Sequence, residues 1–122
     1  MRNGRPVLVA GGAGGARIIM GVLLQIVDTV DFGLSLPQAV DAERLDNQGG
    51  ATINIEETRV DPTQLAALLA RGHRLTREGE YGPRPRVQLA GVDPRTGLRT
   101  AVSDSRSDQA ALVQRRGQRR AR

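Results

Sequence analysis

The sequence predicts an α+β layered domain, and three observations carry that prediction. Short β-favouring runs alternate with longer helical ones, no stretch repeats, and Gly, Pro and Asp fall between the runs. Residues 6–10 read as a strand, with Val7, Leu8 and Val9 as a short buried run. The stretch 17–30 is apolar at almost every position and suits a helix in length, so it predicts a helix that other structure must cover on all sides. Asp31-Phe32-Gly33 ends it. SLPQAVDAERL reads as a second, shorter helix, with Ser35 or Leu36 near its cap and Pro37 in its first turn. Residues 51–56 alternate, placing Ile53 and Ile55 on one face of a strand. Asp61-Pro62-Thr63-Gln64 supplies an N-cap, a proline at the first helical position and a glutamine at the third. The helix that follows lines up Leu65, Leu68 and Leu69, and Gly72 closes it. A short strand near 73–76 and a polar loop, 77–85, come next. RVQLAGV and LRTAVS flank DPRTG, a hairpin with a turn of three to five residues. A strand at the front with no partner before it, followed at once by the most apolar helix, reads as the later part of a larger fold.

Composition excludes several classes of function. Phe32 and Tyr81 are the only aromatic residues, too few to stack single-stranded nucleic acid. The absence of cysteine removes disulfides and thiolate metal sites. The one histidine, His73, has no carboxylate beside it to orient the ring and reads as a surface residue. All 18 basic residues are arginine, and the net charge is +5. Arg115, Arg116, Arg119, Arg120 and Arg122 crowd the closing RRGQRRAR, which leaves the body near neutral. That tail reads as a solvated terminus and is the sole hint of a nucleic-acid or acidic partner. The apolar stretch 18–27 is too short to cross a membrane, MRNGRPV has no secretory-signal pattern, and no residue points to a compartment.

Gly11, Gly12, Gly14 and Gly15 stand between the first strand and the apolar helix. Glycine admits positive φ and close approach, and a helix start aims backbone N–H groups at whatever lies before it. Two readings follow: a tight packing turn, or an anion site for a phosphate or a reaction oxyanion. The phosphate motifs fail, because Arg17 stands where a third spaced glycine belongs and no Gly-Lys-Ser/Thr follows Gly11. An oxyanion hole needs only two well-aimed donors.

NGRPVLVAGGAGGARIIMGVLLQIVDTVDFGLSLPQAVDAERLDNQ resembles a segment of the γ-glutamyltranspeptidases. That segment reads G-x-P-x-L-V-x-G-[ST]-P-G-G-[SA]-R-I-I, an apolar helix, then D-[FY]-G-[ML]-x-[LP]-x-E/Q-A-V-x-A-P-R. Further on, ARGH looks like the family's L-x-x-x-G-H/Q stretch. GVDPRTGLRTAVSDSRSDQAALV looks like its closing hairpin and D-P-R-x-x-G-A-A run. The likeness divides the chain into a family segment, 1–114, and an arginine-rich tail expected to be disordered, 115–122.

The resemblance implies the C-terminal portion of an N-terminal-nucleophile hydrolase, an αββα sandwich of two antiparallel sheets face to face with helices outside. It implies a self-cleaving precursor whose small subunit opens on a threonine. The threonine hydroxyl attacks the γ-glutamyl carbonyl of glutathione or a related amide, with its own α-amine as base, and water or an acceptor amino acid resolves the acyl-enzyme. It further implies that the backbone N–H groups of Gly14 and Gly15 form the oxyanion hole, with neither cofactor nor metal. The family's T-T-H-x-x-[VI]-x-D nucleophile motif and its glutamate-binding Ser-Ser-Met stretch, both upstream of the glycine turn, have no counterpart here. Ala13 and Ala16 replace a proline and a serine around the glycine pair, and Ala42 to Gln48 lacks the family's proline and histidine pair. The expectation is a fragment, inactive alone, that meets its γ-glutamyl substrate only with the rest of the small subunit and the large subunit, and that associates when isolated. Two alternatives stand beside it: a non-catalytic interaction module docking through the arginine tail, and a fragment of a related cephalosporin or glutaryl acylase.

Overall fold

The structure is a computed structural model describing residues 1, 3–79, 85–107 and 110–112. Tyr81 and the stretch 115–122 lie outside the described residues. In chain order the elements are β1 (Leu8–Ala13), a 3-10 turn (Gly15–Arg17), α1 (Ile18–Val30), α2 (Leu36–Asp41), β2 (Leu45–Asp46), β3 (Thr52–Glu56), α3 (Pro62–Ala70), β4 (Arg74–Glu78), β5 (Arg86–Val92) and β6 (Arg99–Ser103). The strands form two three-stranded sheets, ordered β1-β5-β6 and β2-β3-β4. The first is antiparallel throughout, with Leu8 opposite Gly91, Gly12 opposite Val87, and Leu89 opposite Val102. The second is mixed. β2 runs antiparallel to β3, whereas β3 and β4 are parallel and joined through α3.

Local chemistry accounts for most of the boundaries. Ser35 caps α2 through a capping box: its hydroxyl accepts from the Gln38 N–H while the Gln38 side chain accepts from the Ser35 N–H. Asp61 accepts from the Thr63 N–H at 2.7 Å, and Pro62 opens α3. In the β5–β6 hairpin, Asp93 Oδ1 accepts from the N–H groups of Arg95 and Thr96, and Gly97 takes φ 74°.

The core lies between the first sheet and the helices. Ala39 and Val40 of α2 meet Val87 and Leu89 of β5, with Leu8, Ala10, Val22, Leu34, Leu36 and Val102 packed around them. Alternation along β1 and β5 turns one face to these helices, while Val9, Gly11 and Ala90 on the opposite face are exposed. Among the described residues, helices therefore cover only one face of this sheet, the arrangement of a partial sandwich.

Five readings need correction. The second helix ends at Asp41, short of the expected Leu45, which pairs with Ile55 in β2. The second sheet is mixed, whereas the resemblance implies two antiparallel ones. The first strand runs to Ala13 rather than ending at residue 10, because Gly11 and Gly12 pair with Gln88 and Val87. A Cβ on Gly12 would lie 2.8 Å from the Arg86 carbonyl oxygen, so glycine serves here as a pairing residue beside a close backbone. Gly12→Ala is expected to lower stability by about 1–3 kcal/mol, read as a reduced denaturant midpoint at constant slope. The loop expected over 77–85 begins later, since Arg77 and Glu78 belong to β4. Among the described residues the apolar helix is covered on one side only: Gly21 and Gln25 are buried, but Ile19 (73% exposed), Leu23 and Val30 (66%) face outward.

Candidate functional site

The site is built where β1 hands over to α1. β5 holds β1 in register through Ala13, opposite Arg86. The chain then reverses at Gly14, φ 136° and ψ 26°, and Gly15, φ 65°. Both lie at positive φ, but they differ in kind. Gly15 occupies the left-handed helical region, whereas the Gly14 angles lie outside every region open to an L-residue. No heavy atom lies within 4 Å of the place a Gly15 Cβ would take, so conformation rather than crowding calls for glycine there. The Ile18 N–H donates to the Gly15 carbonyl and closes the 3-10 turn into α1. The first N–H groups of a helix have no acceptor within it and carry the positive end of its dipole. Here they follow a reversal in which Gly14, Gly15 and Ala16 are all exposed. The arrangement leaves backbone N–H groups at an exposed helix start, a setting that suits an anionic oxygen.

Arg17, the last residue of the turn, reaches away from this opening. Its Nη1 donates to Glu78 Oε2 at 2.9 Å and Oε1 at 3.1 Å, and its Nε lies 3.5 Å from Asp46 Oδ2. The hydrogen bond to Glu78 raises the guanidinium pKa, and Asp46 adds to the effect. Both carboxylates belong to the second sheet, on β4 and β2, so a residue adjoining the glycine pair is tied to a sheet other than the one that holds β1.

A second charged group lies beneath, at the C-terminal end of α2. Arg44 Nη1 donates to Asp104 Oδ2, and Arg106 pairs with Glu56 through Nε at 2.7 Å and Nη2 at 2.6 Å. Arg106 also donates to the carbonyls of Val40 and Ala42, and Arg44 to those of Val40 and Pro85. These four side chains are at most 3% exposed. Burial pushes the Asp104 carboxyl up, but Arg44 and the N–H groups of Val87 and Arg106 outweigh it and leave the pKa below the ordinary value. These charges are spread over residues 44–106, and no local pattern in the sequence joins them. Only their convergence in the fold reveals the cluster.

Other candidates do not assemble a catalytic group. The Thr29 hydroxyl donates to the Gln25 carbonyl within its own helix at 2.8 Å. His73 is exposed just before β4. Among the described residues no group of three or more His, Cys, Asp or Glu side chains is placed to hold a metal, and no helix is long and apolar enough to cross a membrane.

Comparison with known proteins gives a consistent picture. The family described as Gamma-glutamyltranspeptidase matches residues 1–114. The glutathione hydrolase proenzyme of Pseudomonas sp. (strain A14) is 33% identical over 92 residues, 75% of this chain and 15% of that protein. The glutathione hydrolase proenzyme of Escherichia coli (strain K12) is 31% identical over 107 residues, 88% of this chain and 18% of that protein. The crystal structure of cephalosporin acylase from Bacillus halodurans superposes with a TM-score of 0.80 at 30% identity, over 90% of this chain and 20% of that one. The chain thus spans less than a fifth of the length of these two curated relatives.

Proposed function

We propose, since this chain belongs to the gamma-glutamyltranspeptidase family, that it forms the closing segment of the catalytic subunit of an N-terminal-nucleophile amidohydrolase and supplies its oxyanion hole. The α+β fold and the similarity to glutathione hydrolases and a cephalosporin acylase support the family fragment. The observation that carries the finer reading is the exposed turn of two positive-φ glycines at the start of α1.

In this reading an N-terminal threonine from the upstream portion attacks the γ-glutamyl carbonyl. Its oxygen bonds to the carbonyl carbon, and the π electrons move onto the carbonyl oxygen. The backbone N–H groups of Gly14 and Gly15 hold that oxyanion. The hydroxyl proton passes through the threonine's own amine to the departing nitrogen, and the carbon–nitrogen bond breaks as the carbonyl re-forms. Residues 1–114 supply scaffold and donors. The remainder of the small subunit and the large subunit cover the bare sheet face around Val9 and Ala90 and the outward stripe of α1.

The purified chain is expected to show no turnover of a γ-glutamyl anilide. A chimera carrying residues 1–114 in place of the matching segment of the Escherichia coli proenzyme is expected to mature and turn the anilide over. Activity of the chain alone, lost on changing one of its own Thr or Ser residues, overturns this reading. The second reading, an acylase, is favoured by the likeness to the Bacillus halodurans enzyme. It uses the same oxyanion step and differs in accepting a glutaryl amide, which lacks the α-amino group.

A further inference from the structure

We infer that Arg17 is the positioning residue of the glycine turn, bracing it across the two sheets through Glu78 and Asp46. This rests on the reading of Gly14 and Gly15 as oxyanion donors. The turn is fixed from two sides by different means. On its N-terminal side, β1 is hydrogen-bonded into the first sheet up to Ala13, opposite Arg86. On its C-terminal side the 3-10 turn ends in Arg17, whose guanidinium bonds to both oxygens of Glu78 on β4 and lies beside Asp46 on β2.

The register explains why two carboxylates from opposite edges of the second sheet reach one guanidinium. Asp46 pairs with Asn54, and Asn54 with Thr76, so these three share a face. Glu78 lies two residues beyond Thr76 on the same strand and therefore on the same face. Arg17, Glu78 and Asp46 are all largely withdrawn from solvent, with side-chain exposures of 18%, 14% and 11%. A planar fork held between two carboxylates resists rotation more than a single contact does, and a lysine cannot reproduce the pair of contacts.

Gly14 and Gly15 have no side chains and cannot anchor themselves. With Gly15 open to space within 4 Å, the direction of their N–H groups depends on what holds the chain on either side. The brace makes Arg17 a positioning residue: it touches no reacting atom and acts through the backbone next to it.

The test is amide hydrogen exchange on the full chain, read by mass spectrometry, with Ile18 as reporter because its N–H closes the turn onto the Gly15 carbonyl. A hydrogen bond to a charged partner is worth enough that Arg17→Lys and Glu78→Gln should speed exchange at Ile18 by about tenfold, while amides of β5 keep their protection. The charge swap Arg17→Glu with Glu78→Arg sets a carboxylate against Asp46 and should not restore slow exchange. Unchanged exchange in the single variants, or equal loss throughout β5, overturns the brace. Glu78→Gln leaves Arg17 in place and gives the same reading if Arg17→Lys does not fold. In the chimera the single variants should lower kcat with KM unchanged. A turn that loosens by exchange while kcat stays at the parent value leaves the brace standing and rejects the oxyanion reading instead.

Discussion

Asp104→Asn is expected to destabilise the fold by about 3–5 kcal/mol, although it exchanges one oxygen for one nitrogen. Asp104 receives four donors. Oδ2 accepts from Arg44 Nη1 and from the Val87 N–H at 2.9 Å, and Oδ1 from the Arg106 N–H at 3.1 Å and Arg106 Nη1 at 3.3 Å. An asparagine accepts on one side only and turns an NH2 group toward two of those donors. It also leaves two buried guanidinium groups facing Glu56 as the one carboxylate left in the buried group. The measurement is a guanidinium chloride titration, and a loss below about 1 kcal/mol would show that the cluster is better solvated than its geometry indicates. The same group sets an acid limit. Because the folded pKa of Asp104 is lowered, its contribution is present above the unfolded value of about 3.9 and is lost as pH falls through the lower folded value. Wild type should therefore lose stability more steeply than Asp104→Asn as pH falls from the unfolded value through the folded one.

Gly14→Ala is expected to cut turnover in the chimera by about 10²–10³ with little change in KM, the usual consequence of losing an oxyanion donor. At φ 136° and ψ 26° an alanine cannot keep the backbone as it stands, so the turn must rearrange and its N–H groups swing away. Gly15→Ala is the internal comparison. Its φ of 65° is left-handed helical, which an L-residue reaches at a cost of about 1–2 kcal/mol, and the site has room for a methyl group. The two variants should thus differ, with Gly14→Ala the more damaging. Equal and nearly full turnover from both would reject these glycines as donors.

Much of this was legible from residue pattern because the signals were local. Ser35 with Gln38, and Asp61 with Pro62, are complete within four residues, and the hairpin around Asp93 carries its own turn chemistry. What escaped depends on partners far away. Gly11 and Gly12 look like a turn until Gln88 and Val87 are set opposite them. Leu45 and Asp46 are too short a run to show any period, and they pair only because β3 lies alongside. The parallel course of β3 and β4 cannot be read from two strand patterns with a helix between them. The pattern G-G-A-R marked the turn, but nothing near it named Glu78 as the anchor of Arg17.

The pairing of β1 with β5 also makes the glycine turn depend on a strand made well after it. Leu8 and Gly91 are far apart in the sequence, and β5 must exist before β1 has a neighbour. On a ribosome the turn is synthesised before β5 and has no fixed shape until Val92 has emerged. The hairpin of β5 and β6, which closes locally, is then the earlier event and the template for what precedes it. Polypeptides stopped short of residue 86 should carry an intact glycine sequence and a disordered turn, whereas loss of residues beyond Ser107, which spares Asp104 and Arg106, should leave its pairing in place.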